Sequence, residues 1–435
     1  MSATRLALFR QLEASQWLAP DRLQSLQYRQ LDALLQHVWA TVPAYHPRLA
    51  AAGLQPGRPC SPADWARLPL LTRRELQADG RLFTSQSVPA AHGKTWTVRT
   101  SGSTGEPVEV LRTAFDQLMW EAITLRDHAW HHRNLGGTLC VIRAGVSRPP
   151  DDAPAANWGA ATLGLFDTGP CFVLPIDTDI SVQTAWLRRH NPHYLLTYPS
   201  NLSAQLRHLD KAALPKLKEV RTIGEALPAE LRAAVFEQLG VPLVDLYSAN
   251  EVGNIALQCP QCPDGDLYHV QSESLLVEVL DDDGQPCAPG SVGRVVITTL
   301  HGFAQPLLRY ELRDHAEVAP PCACGRGLPT LKRIYGRTRN LLTLPNGEKR
   351  WPLVGFAAYR QVAPVRQYQM VQTALDAIEL RLVTERPLSA AEEITLAEVV
   401  RRALGHPFAL HFTYHDALLP GRNGKFEEFL SLIAL

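Results

Sequence analysis

From about residue 95 onward, short apolar runs alternate with stretches of helical spacing, and this alternation constrains the fold more than any other feature. Leu139–Ile142 and Cys171–Leu174 are continuous apolar runs of strand length, the pattern of strands buried on both faces. Ala229–Leu239 has helical spacing and is closed by Gly240, which takes the left-handed conformation a helix end needs. Leu275–Leu280 and Arg294–Leu300 flank the turn-forming Asp281–Gly284 and predict a hairpin. Upstream, Leu31, Leu34, Leu35 and Val38 mark a helical face that should stop at Pro43. The expected class is α/β, a large N-terminal body of mixed sheets and helices with added antiparallel strands.

After about residue 338 the character changes. Ile378, Leu380 and Leu382 alternate like a half-buried strand, and Ala409–Tyr414 reads as another. Between them, Ser389 and Glu392 form a capping-box pattern ahead of the run Ile394–Leu404. Residues 339–435 therefore read as a small C-terminal α+β domain, with 1–338 as the body.

A chain of 435 residues, 46% hydrophobic, is long enough for a sizeable core and more than one domain. Its 43 basic and 43 acidic residues balance, so no global field points to nucleic acid or to a membrane surface. The N-terminus carries polar and charged residues too early for a signal peptide, and no apolar run reaches a membrane span. The expected location is cytoplasmic.

The segment Thr100-Ser101-Gly102-Ser103-Thr104-Gly105-Glu106-Pro107 carries the most chemistry. Its two glycines let a backbone approach an anion, and its hydroxyls and N–H groups are phosphate donors. No lysine follows the second glycine, so it is not the Gly-x-x-x-x-Gly-Lys-Ser/Thr loop. Alone, the segment reads equally as a glycine-serine turn.

Further motifs follow it in order: Gly224-Glu225-Ala226, Tyr247-Ser248-Ala249-Asn250-Glu251, Arg309-Tyr310-Glu311-Leu312-Arg313-Asp314, Gly336-Arg337 and Gly424-Lys425. With these the chain resembles the adenylate-forming enzyme superfamily, and within it the phenylacetate–CoA ligase-like branch, over nearly its whole length.

The resemblance implies a role for each piece. Thr100 to Gly105 would grip the phosphates of ATP. Gly224, Glu225 and Ala226 would line the adenine pocket, with the Tyr247 ring stacked on the base and Ser248 and Asn250 beside the nucleotide. Glu251 would hold Mg²⁺, which prefers carboxylate oxygen. Asp314 would accept the ribose hydroxyls, Arg337 would contact ribose or phosphate, and Lys425 would stabilise charge at the forming acyl-phosphate bond. The acid, aromatic in much of this branch, would sit near Tyr198 and Ser200, with Tyr194 a further ring in reach. The small domain would then swing to admit a thiol, either coenzyme A or the phosphopantetheine arm of an acyl carrier protein.

Four positions depart from the family pattern. Asn250 stands where threonine is usual, Arg313 replaces the common glycine before Asp314, and Arg339 and Asn340 stand where two acidic residues often mark the hinge.

Of eight cysteines, four are scattered, and Cys259-Pro-Gln-Cys262 and Cys322-Ala-Cys324 supply two short pairs. Four thiolates suit tetrahedral zinc, with His269 as the reserve ligand, and such a site would staple distant segments. The neutral charge and long spacing argue against a zinc-ribbon nucleic-acid module. The histidines of Asp127-His128-Ala129-Trp130-His131-His132 are expected on an exposed helix face rather than at a metal.

Two other functions remain open. Leu344-Pro345-Asn346-Gly347 resembles a subgroup tied to surface-polysaccharide assembly, where an amine or hydroxyl would accept the activated acid. A zinc-stapled binding protein without chemistry is the other.

Overall fold

In the computed structural model the chain is described over residues 2–100, 107–262, 265–337, 341–350, 352, 359, 361–418 and 426–433. The N-terminal part is helical: α1 (Ser2–Ser15), α2 (Pro20–Thr41), and the short α3 (His46–Ala51), α4 (Pro62–Ala66) and α5 (Arg73–Asp79). α2 buries Leu31, Leu34, Leu35 and Val38 and ends one residue before Val42-Pro43, where proline cannot continue the ladder. α5 starts at a capping box in which Thr72 and Glu75 satisfy each other's backbone N–H groups.

An antiparallel pair of β1 (Thr95–Arg99) and β2 (Glu109–Thr113) follows, and the glycine-serine segment lies between them in sequence. α6 (Ala114–Trp130) starts at a second capping box, between Thr113 and Asp116.

The main sheet has eleven strands. It contains β3 (Leu139–Arg143), β4 (Cys171–Pro175), β5 (Tyr194–Thr197), β6 (Glu219–Ile223), β7 (Leu243–Ala249), β8 (Gly253–Gln258), β9 (Tyr268–Val270), β10 (Leu275–Leu280), β11 (Val292–Thr299), β12 (Tyr310–Val318) and β13 (Thr330–Arg337), in the order β10-β11-β12-β13-β9-β8-β7-β6-β5-β3-β4. From β4 to β7 all pairs are parallel, and from β7 to β10 all are antiparallel. The change falls at the β7–β8 turn. In sheets of this kind ligands lie beyond the carboxyl ends of the parallel strands.

α7 (Ile180–His190), α8 (Pro199–Gln205) and α9 (Leu231–Leu239) cover the parallel half, and Trp186, Leu202 and Val235 are among the residues that bury its Ile142, Leu195 and Val220. α9 ends at Gly240 with φ +70°, as the sequence requires. The antiparallel half packs its Ile255, Val270 and Ile297 with the apolar face of α2. β10 and β11 pair antiparallel, but their connection runs from 281 to 291 and is longer than the Asp281–Gly284 turn.

After a short hairpin of β14 (Leu342–Thr343) and β15 (Lys349–Arg350), the C-terminal part builds its own sheet from β16 (Val365–Ala374), β17 (Ala377–Thr384), β18 (Ala409–Tyr414) and β19 (Phe429–Ser431), ordered β18-β17-β16-β19. α10 (Ala390–Leu404) begins at the Ser389/Glu392 capping box and buries Leu396, Val400 and Leu404 with Ile378, Leu380, Leu382 and Phe408 in a separate core. Among the described residues no helix is long and apolar enough to cross a membrane.

The expected exposed histidine face is corrected. His128 and Trp130 are buried, and only His132 is exposed. The cause is a charged cluster beneath them: Arg133 donates to Asp127 at 2.6 Å and to Glu219 at 2.6 Å, and Arg221 donates to Asp127 at 2.5 Å. Burial alone would raise Asp127, but the Arg133 and Arg221 guanidiniums hold it well below the usual carboxylate range. Burial and the same two arginines keep His128 neutral.

Candidate active site

Three adjacent parallel strands end at one crevice. β5 leads into Tyr198 and Ser200, β6 into Gly224, Glu225 and Ala226, and β7 carries Tyr247 and Ser248 before the turn that holds Asn250 and Glu251. The sequence candidates from three separate motifs are thus neighbours because their strands are neighbours.

β12 brings Asp314 to this crevice, where the Tyr247 hydroxyl donates to Asp314 Oδ2 at 2.9 Å. Asp314 pairs in register with Arg337 of β13, whose backbone is described but whose side chain lies outside the described residues. Gly336 has φ +77°, and a Cβ there would stand 3.6 Å from Ala226 Cβ, so this strand end closes against the Gly224–Ala226 loop. Arg313 has φ +68°, a left-handed conformation that favours glycine, which explains why glycine is common there and marks Arg313 as a strained substitution. Arg309, at φ +46°, is a structural staple: its guanidinium donates to both oxygens of Glu278 and to the carbonyls of Ala66 and Leu68.

The mouth of the glycine-serine segment is closed by Thr100 and Val108. Thr100 N donates to the Val108 carbonyl at 2.9 Å, and Val108 N donates to Thr100 Oγ1 at 2.9 Å. Ser101, Gly102, Ser103, Thr104 and Gly105 lie outside the described residues, as does Lys425.

Arg73 is a site residue that sequence reasoning missed. Leu71 forms a parallel bridge with Tyr310, and the Thr72 cap then sets Arg73 at the first position of α5. From there its guanidinium donates to Glu251 Oε1 at 3.0 Å and to Thr100 Oγ1 at 2.9 Å, with all three residues buried. Arg112, on β2, donates to the carbonyls of Asn250 at 3.5 Å and Glu251 at 3.2 Å. Two arginines therefore tie the β1–β2 pair and the adjoining Thr100 to the turn carrying Glu251. A carboxylate at this place suits Mg²⁺, a hard cation that prefers oxygen, and Arg73 occupies one of its two oxygens.

Ser200 and Glu225 are paired: Ser200 N donates to Glu225 Oε2 at 2.9 Å and Ser200 Oγ donates to Glu225 Oε1 at 3.0 Å. The Tyr198 hydroxyl accepts from Ala144 N at 3.3 Å. Tyr194 is at the opposite end of β5, with its hydroxyl accepting from Asn134 N at 2.8 Å and its ring edge-on to Trp158, so it lines no part of the crevice.

The metal candidates are corrected in one member. Cys259, Cys322, Cys324 and His269 place their ligand atoms within 4.8 Å of one another, and Cys262 is outside this group. The reserve ligand takes its place because β9 points His269 at the Cys322–Cys324 loop while Cys262 lies in the turn beyond β8. Cys259 Sγ and Cys322 Sγ are 3.7 Å apart, and Cys324 Sγ is 3.3 Å from His269 Nε2. Tetrahedral zinc requires sulfur–sulfur edges of about 3.8 Å and sulfur–nitrogen edges of about 3.5 Å, so the donors fit. Burial, with Arg326 nearby, pushes His269 down to about 4, so it is neutral and able to ligate at pH 7. Burial raises the Cys324 thiol, but hydrogen bonds from the Arg326 backbone and side chain outweigh it and leave the thiol below its ordinary value. Arg326 itself stacks on Trp17 at 4.8 Å and on Trp130 at 4.3 Å, which ties the Cys322–Cys324 loop to the α1–α2 connection and to the end of α6.

Residues 95–303 match the family model described as AMP-binding enzyme. The chain is 27% identical over 345 residues to a phenylacetate-coenzyme A ligase of Aromatoleum evansii, covering 77% of this chain and 74% of the relative. It is 27% identical over 408 residues to the phenylacetate-coenzyme A ligase of Thermus thermophilus, covering 88% and 86%. Among solved structures, 2-hydroxyisobutyryl-CoA ligase in its postadenylation state superposes with a TM-score of 0.74 at 20% identity, covering 94% of this chain and 90% of that one. The same ligase in its thioesterification state gives a TM-score of 0.61.

Proposed function

Since the chain belongs to the adenylate-forming AMP-binding enzymes, in their phenylacetate–CoA ligase-like branch, we propose that it uses ATP to turn a carboxylic acid into an acyl-adenylate and passes the acyl group to the thiol of coenzyme A. The observation that carries this reading is the crevice itself. Asp314 with Tyr247, Glu251 with Arg73, and the Gly224–Ala226 loop converge on the carboxyl ends of β5, β6 and β7.

The chemistry divides among the residues. Tyr247 and the Gly224–Ala226 backbone hold adenine, and Asp314, whose Oδ2 faces the Tyr247 hydroxyl, accepts the ribose hydroxyls. The Thr100–Gly105 segment holds the phosphates, and Arg73 supplies positive charge at its first residue. Glu251 would hold Mg²⁺, which neutralises phosphate charge when bound. An acid oxygen then attacks the α-phosphorus, the bond to pyrophosphate breaks, and Lys425 stabilises the charge that develops. Coenzyme A attacks the acyl carbon next, releasing AMP. Most of the acceleration comes from positioning and charge neutralisation.

Finer assignments rest on the same reading. The acid lies near Tyr198 and Ser200 and is aromatic, supported by the phenylacetate relatives. The division between body and small domain is at 338/339, supported by the separate core of the C-terminal sheet. Zinc is structural and is held by Cys259, Cys322, Cys324 and His269, joining β8 and β9 to the β12–β13 connection. A pyrophosphate-release screen over aryl and fatty acids tests the function. Acid-dependent release followed by thioester formation with coenzyme A supports it, and no release with any acid counts against it.

A further inference from the structure

The carboxylate of Glu225 joins the two parts of the molecule. Besides the two bonds from Ser200, its Oε1 accepts the Phe426 backbone N–H at 3.1 Å. That N–H belongs to the peptide unit linking Lys425 to Phe426. Three donors therefore converge on one carboxylate, two from the start of α8 in the body and one from the segment that leads into β19 of the C-terminal sheet.

Ser200 does more than fill a valence. Its N–H and hydroxyl occupy different oxygens of Glu225, which fixes the plane of the carboxylate and aims Oε1 at Phe426. A further link between the parts, among the described residues, is an exposed bond from Arg207 Nη1 to the Arg366 carbonyl at 2.6 Å. Glu428, two residues beyond Phe426, takes the Tyr368 hydroxyl at 2.8 Å and sits close to Glu230 and Glu225. A charge-assisted bond that lies beside other carboxylates is suited to being made and broken.

We propose that Glu225 is a positioning residue for acid activation: held by Ser200, it grips the Phe426 N–H and so holds the C-terminal part against the body for the step assigned to Lys425, the neighbour of Phe426 in sequence. The inference rests on the ligase reading given above and goes beyond it in assigning the side chain of Glu225 to the interface between the parts, where the resemblance placed this residue in the adenine pocket. It also links the acid end of the crevice to the C-terminal part at Phe426, because Ser200 lies on the α8 side where the acid is placed.

Hydrogen–deuterium exchange on the full-length chain without substrates tests the contact. Glu225→Ala should speed exchange of the Phe426 amide by about tenfold, the loss of one hydrogen bond to a charged acceptor, while α9 exchanges as in the wild type. Ser200→Ala, which keeps the carboxylate but frees its orientation, should give a smaller increase at the same amide. Unchanged exchange at Phe426 in both variants overturns the proposal. The functional arm uses phenylacetate for ATP–pyrophosphate exchange, and supplied phenylacetyl-adenylate with coenzyme A for thioester formation. Glu225→Ala should lower the ratio of the first rate to the second by about tenfold, which a purely structural defect would leave near the wild-type value. A wild type inactive in both assays speaks against the ligase reading, and the amide exchange decides the Glu225 contact in either case.

Discussion

Arg73 and Glu251 stand 3.0 Å apart as an ion pair, with side chains only 4% and 6% exposed, although 178 residues separate them. Breaking a buried pair leaves the other charge without compensation, at a cost of about 3–5 kcal/mol. Arg73→Ala should therefore lower stability by about that amount in urea denaturation, and should also depress acid-dependent ATP use. A variant as stable as the wild type would show that the pair carries no such burden. Arg73→Lys retains the charge but not the fork that reaches Glu251 and Thr100 together, so it should recover stability only in part.

On the proposed ribose contact, Asp314→Ala should weaken ATP binding at least about tenfold, and it also removes one hydrogen-bond partner of Tyr247. Tyr247→Phe removes only the hydroxyl and should cost less. Calorimetric titration with ATP measures both, and unchanged affinity in Asp314→Ala would remove that residue from the site.

Metal analysis should find one zinc per chain. Cys322→Ser and His269→Ala should each lose most of it, whereas Cys262→Ser should keep it, because Cys262 lies outside the donor group. Equal loss in Cys262→Ser would contradict the donor set. Chelation of the wild type should lower its melting temperature, since the metal ties segments far apart in the chain.

Glu428 gives a pH dependence with a definite sign. Burial first, then the nearby Glu230 and Glu225 carboxylates, push it up to about 7 from an ordinary 4.5. A carboxyl raised in the folded state binds its proton more tightly there than in the unfolded chain. Its contribution is therefore fully present below pH 4.5 and is lost as pH rises towards and through 7. Melting of the wild type followed between pH 5 and 8 should show this loss, and Glu428→Gln should flatten it. Identical profiles for the two would rule out Glu428 as the titrating group.

What the sequence revealed and what it hid follow from chain separation. The Ser389/Glu392 capping box, the Gly240 helix end and the apolar strands near 140 and 172 depend on neighbours a few residues away, so they are legible locally. The ordered motifs named most of the crevice, because each motif occupies one strand end. Arg73 carried no local signal, since its partners Thr100 and Glu251 arrive through tertiary packing. Glu225 was legible as part of a loop, but its bond to Phe426 spans 201 residues. His128 was misread as exposed because Arg221, which completes the charged cluster around it, comes from a strand 93 positions later by number (221 − 128). Arg313 was recognised as a departure from glycine, and its φ of +68° supplies the reason that glycine is usual.

The central claim is tested most directly by acid-dependent exchange of labelled pyrophosphate into ATP, measured for the wild type and for Lys425→Ala. The wild type should exchange only when a substrate acid is present. Lys425→Ala should lose about a hundredfold or more of that exchange while still forming thioester from supplied acyl-adenylate and coenzyme A. No acid-dependent exchange by the wild type with any aryl or fatty acid, or equal loss of both half-reactions in the variant, would contradict the account.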